Sequence, residues 1–304
     1  MNVVALAGGT GSAKLLRGLQ HEAGDFTVIS NVGDNFWHHG LYICPDIDIA
    51  LYTLAGMADT TRGWGIQDDT FSVLSRLKAM GEESWFNIGD ADLATHIFRT
   101  ERIGRGDRLG EITALLAARL GVEETVIPCT DDNLETYIST DGGTMHLQEF
   151  WVKKRGEPEV MGVEYRGAEA ALPGPGIEGE IARADVIVFC PANPVTSILP
   201  ILAVGGMREA ISRSKARRVA ISPIVGAAPV SGPAGKMMRG LGLDSNSASV
   251  AKLYSGLVDV MLIDASDVSQ RGEIEKEGMK PIATSILMKD LEDEWRLAKS
   301  VLEA

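Results

Sequence analysis

The stretch Val3-Val4-Ala5-Leu6-Ala7-Gly8-Gly9-Thr10-Gly11-Ser12-Ala13-Lys14-Leu15-Leu16 decides how the chain is read. An apolar, partly β-branched run passes straight into glycines and small hydroxyl residues, then into Leu15, Leu16 and Leu19 at helical spacing. That order of strand, glycine turn and helix points the free backbone N–H groups of a helix N-terminus at whatever lies over the turn. Phosphate is the usual occupant. Two common phosphate signatures fail on spacing. A P-loop follows its lysine with Ser or Thr, and here Leu15 follows Lys14. The dinucleotide fingerprint beginning at Gly9 and Gly11 needs a third glycine where Lys14 stands. A tight turn in any α/β protein would explain the glycines alone, and a phosphate-binding turn explains the order as a whole.

Working outward, Phe26-Thr27-Val28-Ile29-Ser30 reads as a second strand and closes a parallel, right-handed βαβ unit. It runs into Asn31-Val32-Gly33-Asp34-Asn35. Asp34 falls where a dinucleotide fold often keeps its ribose acid, and Asn and Asp are equally ordinary turn residues. Further strands are expected at 125–129, 145–152, 185–190, 218–222 and 258–263, with residues 153–179 a polar excursion between them. At least four apolar strands end in loops rich in Gly, Pro, Asn and Ser. In an open parallel sheet those loops lie along one edge and make one crevice. The expected fold is α/β, a Rossmann-like open parallel sheet with helices on both faces. It forms a single domain over 1–304 with a smaller, mainly helical insertion at about 50–120. A final amphipathic helix at 289–302 is expected to pack on the sheet.

Composition narrows the function. The 29 basic against 42 acidic residues give a net charge of −13, which argues against a general nucleic-acid or anionic-membrane binder. A phosphorylated small molecule remains compatible, because helix ends and a metal can supply the positive field. Cys44, Cys129 and Cys190 are far apart with no C-x-x-C, so neither a disulfide framework nor a zinc knuckle is indicated. No signal peptide precedes the first strand and no apolar run approaches ~18 residues, which leads us to expect a soluble cytoplasmic protein.

Several polar groups then stand out. In an extended Pro45-Asp46-Ile47-Asp48 the two carboxylates would point to one side and could hold one Mg²⁺ or orient one hydroxyl. Pro45 and Asp46 also suit the first turn of a helix. His38-His39 reads as a loop pair. Trp64 and Trp85 suit either a stacking wall or the packing of a helical subdomain. A helix is expected from Asp69 to Met80; Asp90 reads as the N-cap of a second, with Asp92 in its first turn and His96 four residues on. Basic side chains are sparse in the loops, essentially Lys14, Arg62 and Lys236.

Together, Gly8-Gly9-Thr10-Gly11-Ser12-Ala13-Lys14, Pro45-Asp46-Ile47-Asp48, Trp64-Gly65-Ile66-Gln67-Asp68-Asp69-Thr70-Phe71, Gly89-Asp90-Ala91-Asp92-Leu93-Ala94-Thr95-His96, Pro191-Ala192-Asn193-Pro194-Val195-Thr196-Ser197-Ile198 and Pro229-Val230-Ser231-Gly232-Pro233-Ala234-Gly235-Lys236 closely resemble the 2-phospho-L-lactate transferase family of coenzyme F420 biosynthesis. The resemblance runs from the first strand to about Asp267. It implies an enzyme that moves 2-phospholactate from lactyl-2-diphospho-5′-guanosine to the deazaflavin 7,8-didemethyl-8-hydroxy-5-deazariboflavin (FO), giving F420-0 and GMP, with Mg²⁺ as cofactor and a homodimer as the working form.

By the same resemblance Asp48 contacts FO, and Asp46 or Asp48 holds Mg²⁺ or orients the attacking hydroxyl. A second FO contact falls at Asn87, where the family often has a basic residue, and Trp64 is a further FO candidate. The donor cradle is expected from Gly9, Thr10, Gly11, Lys14, Asn193, Ser231, Gly232 and Lys236. A rival expectation is a nucleotide-sugar-binding regulator resembling the gluconeogenesis-factor proteins, which share the opening Gly-Gly-Thr-Gly and do not turn over. The segments 64–71 and 89–96 favour the transferase.

Overall fold

A strand buried on both faces is expected to be apolar, and the first strand, Val3–Ala7, is so at every position, while the second is fully buried and carries Thr27 and Ser30. The computed structural model describes residues 1–304. Val3–Ala7 (β1), Phe26–Ser30 (β2), Thr125–Pro128 (β3), Val186–Phe189 (β4), Arg217–Ile221 (β5), Val260–Asp264 (β6) and Lys280–Thr284 (β7) form one sheet in the order β7-β6-β5-β4-β1-β2-β3. Every pairing in it is parallel. The chain winds one way from β1 through β2 to β3, then restarts beside β1 at β4 and winds the other way. Strand order therefore reverses between β1 and β4, and a crevice opens beyond their carboxyl ends.

Helix α1 (Gly9–Glu22) follows β1 directly. The C-terminal helix, Leu291–Glu303, lies along α1, and Arg217 at the start of β5 donates to its Leu302 carbonyl. Arg17 binds Glu294 through two hydrogen bonds of 2.6 Å, and Gly18 has no room for a Cβ against the Glu294 backbone. Between β2 and β3 stand α2 (Pro45–Leu54), α3 (Ser72–Ala79), α4 (Asp90–Gly104) and α5 (Leu109–Leu120). His39 and Gly40, both at positive φ, turn the short hairpin of Phe36–His38 with Leu41–Ile43 that precedes α2.

The acids around α3 and α4 serve each other's helices. Asp69, just before α3, accepts the N–H groups of Ala91 and Asp92 in α4, while Asp90 of α4 accepts those of Ser72 and Val73 in α3. Asp90 was expected to cap its own helix; Gly89 holds that place, where Asp69 leaves no space for a side chain.

Three further readings are corrected. The helix expected from Asp69 begins at Ser72. The strand expected over 145–152 ends at His146, and Glu149–Lys153 is a π-helical turn. The excursion after it contains a strand, Val160–Arg166, which pairs with Glu135–Thr140; Gly143–His146 pairs on the other side to complete a three-stranded antiparallel sheet. No single helix is long and apolar enough to cross a membrane, and all three cysteines are buried and free.

Candidate functional site

At the reversal point between β1 and β4 lies a cavity of about 430 Å³. Its floor is Gly8 to Gly11 at the start of α1 and Pro191 to Asn193 after β4. The loop 60–63 forms one wall, Asp34, Leu147, Gln148 and Trp151 a second, and residues 230–233 with Ile286 and Met288 the far rim. Small residues are required on the floor. A Cβ on Gly8 would stand 2.5 Å from Asp46 Oδ2 and 2.8 Å from Ser197 Cβ, and one on Gly11 would run into the Pro191 carbonyl. Gly9 adopts φ +68°, the left-handed region that favours glycine. Thr10 and Gly11 lie in the first helical turn, where backbone N–H groups have no intrahelical acceptor, so the floor offers donors of the kind an anion would accept.

Asp46 meets that floor. Its Oδ1 accepts the Gly9 N–H at 2.8 Å, and its Oδ2 accepts the Asn31 side-chain amide at 2.8 Å. The same Asn31 nitrogen donates to Asp34 Oδ1 at 3.0 Å and to the Thr196 carbonyl at 3.1 Å, while Asn31 Oδ1 accepts the Gly33 N–H. Gln148 holds the other oxygen of Asp34 at 3.3 Å. Two carboxylates are thus tied to one buried amide. Burial pushes Asp46 up to about 6, against the hydrogen bonds from Asn31 and Gly9. Burial and then the neighbouring charge of Asp46 push Asp34 well above the usual carboxylate range.

Asp48 is not part of this group. Residues 45–54 are helical rather than extended, so carboxylates two apart diverge by about 200° around the axis. Asp48 points to α4, where both its oxygens are bound by the fully buried Arg99; Nη1 donates to Oδ2 at 3.1 Å and Nη2 to Oδ1. His96 Nδ1 lies 3.6 Å from Asp48, His96 Nε2 lies 3.3 Å from Asp92, and Tyr52 donates to Asp92 at 2.7 Å. Asp48, Asp92 and His96 are close enough to share a cation. The Arg99 guanidinium already supplies the positive charge there.

The other expected site residues divide in the same way. Gly9, Thr10, Gly11, Lys14, Asn193, Ser231 and Gly232 line the cavity. Lys14 Nζ donates to the Met288 carbonyl at 2.9 Å, across the mouth. Asn193 Oδ1 caps the turn after it through the Val195 N–H at 3.1 Å, and its Nδ2 is buried without a partner. Lys236 turns away and donates to the carbonyls of Gly156 and Glu157 at 2.8 and 2.7 Å. Asn87 is exposed and outside the cavity lining. Trp64 stacks edge-on with Phe71 beside Arg62, which itself lines the cavity, and Trp85 belongs to a separate cluster with Phe36 and Phe86. The two tryptophans form no common wall.

Four participants escaped the sequence reading: Asn31, Gln148, Trp151 and Ser197. Asn31 sits in the turn that offered Asp34, and Ser197 in a loop singled out for Asn193, so proximity was the available signal. Gln148 and Trp151 carried none, because a π-turn has no hydrophobic period to detect.

Fold and site together define a Rossmann-type α/β protein whose cavity has a glycine-floored helix N-terminus, with Asp34 in its wall and Asp46 bonded to Gly9 behind the floor. Residues 3–295 match the family model for 2-phospho-L-lactate transferase CofD. The chain belongs to this family and is a transferase. It is 44% identical to a protein of Streptomyces griseus named phosphoenolpyruvate transferase, over 100% of this chain and 98% of that one. It is 39% identical to a 2-phospho-L-lactate transferase of Methanosarcina mazei, over 99% of this chain and 100% of that one. A crystal structure of a UPF0052-family protein from Bacillus halodurans superposes with a TM-score of 0.67 at 17% identity, covering 99% of this chain and 98% of that one, a likeness of fold.

Proposed function

We propose that the protein transfers 2-phospholactate from lactyl-2-diphospho-5′-guanosine to FO, yielding F420-0 and GMP. The observation that carries this reading is the meeting of the α1 N-terminus on the cavity floor with Asp46, bonded to Gly9 behind that floor, and Asp34 in the adjoining wall. In the proposed reaction the terminal ribityl hydroxyl of FO attacks the phosphorus bearing the lactyl group. The P–O bond to GMP breaks, and the hydroxyl proton leaves to a base. Such a transfer needs charge on the phosphoryl oxygens and on the leaving phosphate to be neutralised, with attacking and leaving oxygens in line. The first-turn N–H groups of α1, Lys14 and Arg62 supply positive potential around the cavity.

Mg²⁺ fits the donor set as the cofactor. Asp34 and Asp46 offer hard oxygen donors; burial raises both, and the charge of Asp46 raises Asp34 further, so a divalent cation would relieve these costs. Mg²⁺ takes one or two carboxylates with phosphate and water completing its shell. When bound, it neutralises diphosphate charge and helps orient the reacting groups. In this reading Asp46 and Asp34 hold the cation, and Asp48, clamped by Arg99, fixes the first turn of α2 from behind.

A second donor has a specific observation in its favour. The relatives from Streptomyces at 43 and 44% identity are named phosphoenolpyruvate transferases, against 37 to 41% for the methanogen phospholactate enzymes. Purified protein, FO and Mg²⁺ mixed with either the lactyl or the enolpyruvyl donor separates the two. Higher kcat/KM with the lactyl donor supports the proposal; preference for the enolpyruvyl donor moves the assignment to that acid. Tight FO binding with no GMP from either donor would favour the regulatory protein. The family resemblance also implies a cytoplasmic homodimer, whose mass light scattering measures.

A further inference from the structure

Trp151 is the one aromatic residue lining the cavity, and it is 41% exposed. Its position is built with care. The chain turns back beneath it through Arg155 and Gly156, both in the left-handed region at φ +55° and +62°. Gly156 approaches so closely that a Cβ there would stand 2.9 Å from both Cε3 and Cζ3 of the indole. The Gly156 N–H is bonded to the Phe150 carbonyl at 2.8 Å, and its own carbonyl accepts from Lys236 Nζ at 2.8 Å. Glu157 accepts from the same ammonium at 2.7 Å. The six-membered part of the ring is therefore braced by backbone, and the residue, still 41% exposed, lines the cavity. A large apolar side chain left open in this way, on a rigid support, suits a flat ligand.

We infer that Trp151, braced by Gly156 and pinned through Lys236, is the stacking surface for the deazaflavin ring of the acceptor. The inference rests on the acceptor being FO, as proposed above. Both substrates carry a planar ring, and position favours the acceptor's. Trp151 lies three residues beyond Gln148, on the turn Glu149–Lys153, and Gln148 bonds to Asp34 at the acidic pair. A ring stacked on Trp151 sets a short polyol arm reaching toward Asp34 and Asp46, with the donor diphosphate on the α1 floor. Guanine has no such requirement to lie near the acids. The assignment also gives Lys236 a role: it is a positioning residue that supports the platform.

The test measures FO and GDP binding separately by equilibrium dialysis, for the wild type and for W151A, W151F and G156A. Stacking of a heteroaromatic ring on an aromatic side chain is worth about 1–3 kcal/mol. W151A is therefore expected to weaken FO about 10- to 100-fold, with GDP affinity unchanged. W151F should stay within about threefold of wild type, since it keeps an aromatic face. G156A, which displaces the ring without removing it, should fall between them. FO should quench tryptophan emission in the wild type and lose most of that quenching in W151F. Unchanged FO affinity in W151A, or weakening of GDP in place of FO, would overturn the inference while leaving the transferase reading intact. Failure of the wild type to bind FO at all would remove the acceptor and the inference with it. Retained GDP affinity in each variant shows that it is folded.

Discussion

Asp46 accepts the backbone N–H of Gly9 at 2.8 Å, so a hydrogen bond joins the N-terminal turns of the helix after the first strand and the helix after the first hairpin. The contact brings a carboxylate to the positive end of α1 and leaves the next two residues of that turn on the cavity floor. It also explains the glycine before it, because any Cβ on Gly8 would collide with the same Asp46. The glycine turn and the acid are one construction.

The floor is sensitive to a single methyl group. In Gly11→Ala the new Cβ meets the Pro191 carbonyl, which belongs to the loop after the central strand and has little freedom to move. Overpacking of this kind costs about 1–3 kcal/mol. Urea unfolding should show that loss. Gly104→Ala, at the end of α4 with nothing within 4 Å, should be neutral or slightly stabilising. Equal stability of the two variants would contradict the packing described for the floor.

Arg99 is wholly buried and neutralises Asp48, so removing it alone strands a carboxylate away from water. Arg99→Met is expected to cost about 3–5 kcal/mol of unfolding free energy. The double variant Asp48→Leu with Arg99→Met should recover much of the loss, because an apolar pair leaves no uncompensated charge. Denaturant titration of the three proteins reads the effect. Additive losses, with no recovery in the double variant, would show that the pair does not act as a unit.

Asp46 makes stability depend on pH in a direction opposite to that of a salt-bridged acid. Its folded value, about 6, lies above its unfolded value near 3.8, so between those pH values the native state holds more protons than the unfolded chain. The contribution from Asp46 is fully present below about 3.8 and is lost as pH rises through about 6. In chelator-containing buffer, the stability difference between the wild type and Asp46→Asn should shift in favour of the variant from pH 4.5 to 7.5. A gap that does not change with pH would show that Asp46 is not held as a buried acid.

Much of the architecture could be read from the chain because parallel strands announce themselves. Val3 to Ala7 and Val186 to Phe189 are apolar at every position and stop at glycine or proline, as a strand covered on both faces must. Lys280–Thr284 was missed for the converse reason. It lies at the sheet edge, where a lysine and a proline are tolerated and the apolar run is short.

The site was legible as loops and only in part as side chains. Gly9, Gly11 and Asn193 follow strand ends, and the topology gathers strand ends. Where Asp46 and Asp48 point depends on whether four residues are extended or helical, a choice settled by packing against α1 and α4 more than by local spacing. Lys236 bonds to backbone carbonyls 79 and 80 residues away, which no local pattern reveals. Trp151 lies in an irregular turn whose partner, Gly156, matters for the side chain it lacks.

The measurement that bears most directly on the central claim follows the phosphorus. A guanylated donor isotopically labelled at the phosphate next to the lactyl group is incubated with purified protein, FO and Mg²⁺, and the products are separated. The account predicts one labelled F420-0 for each unlabelled GMP released, since the ribityl hydroxyl takes that phosphorus and GMP departs without it. Label retained in the guanosine nucleotide, with none in the deazaflavin product, would contradict it.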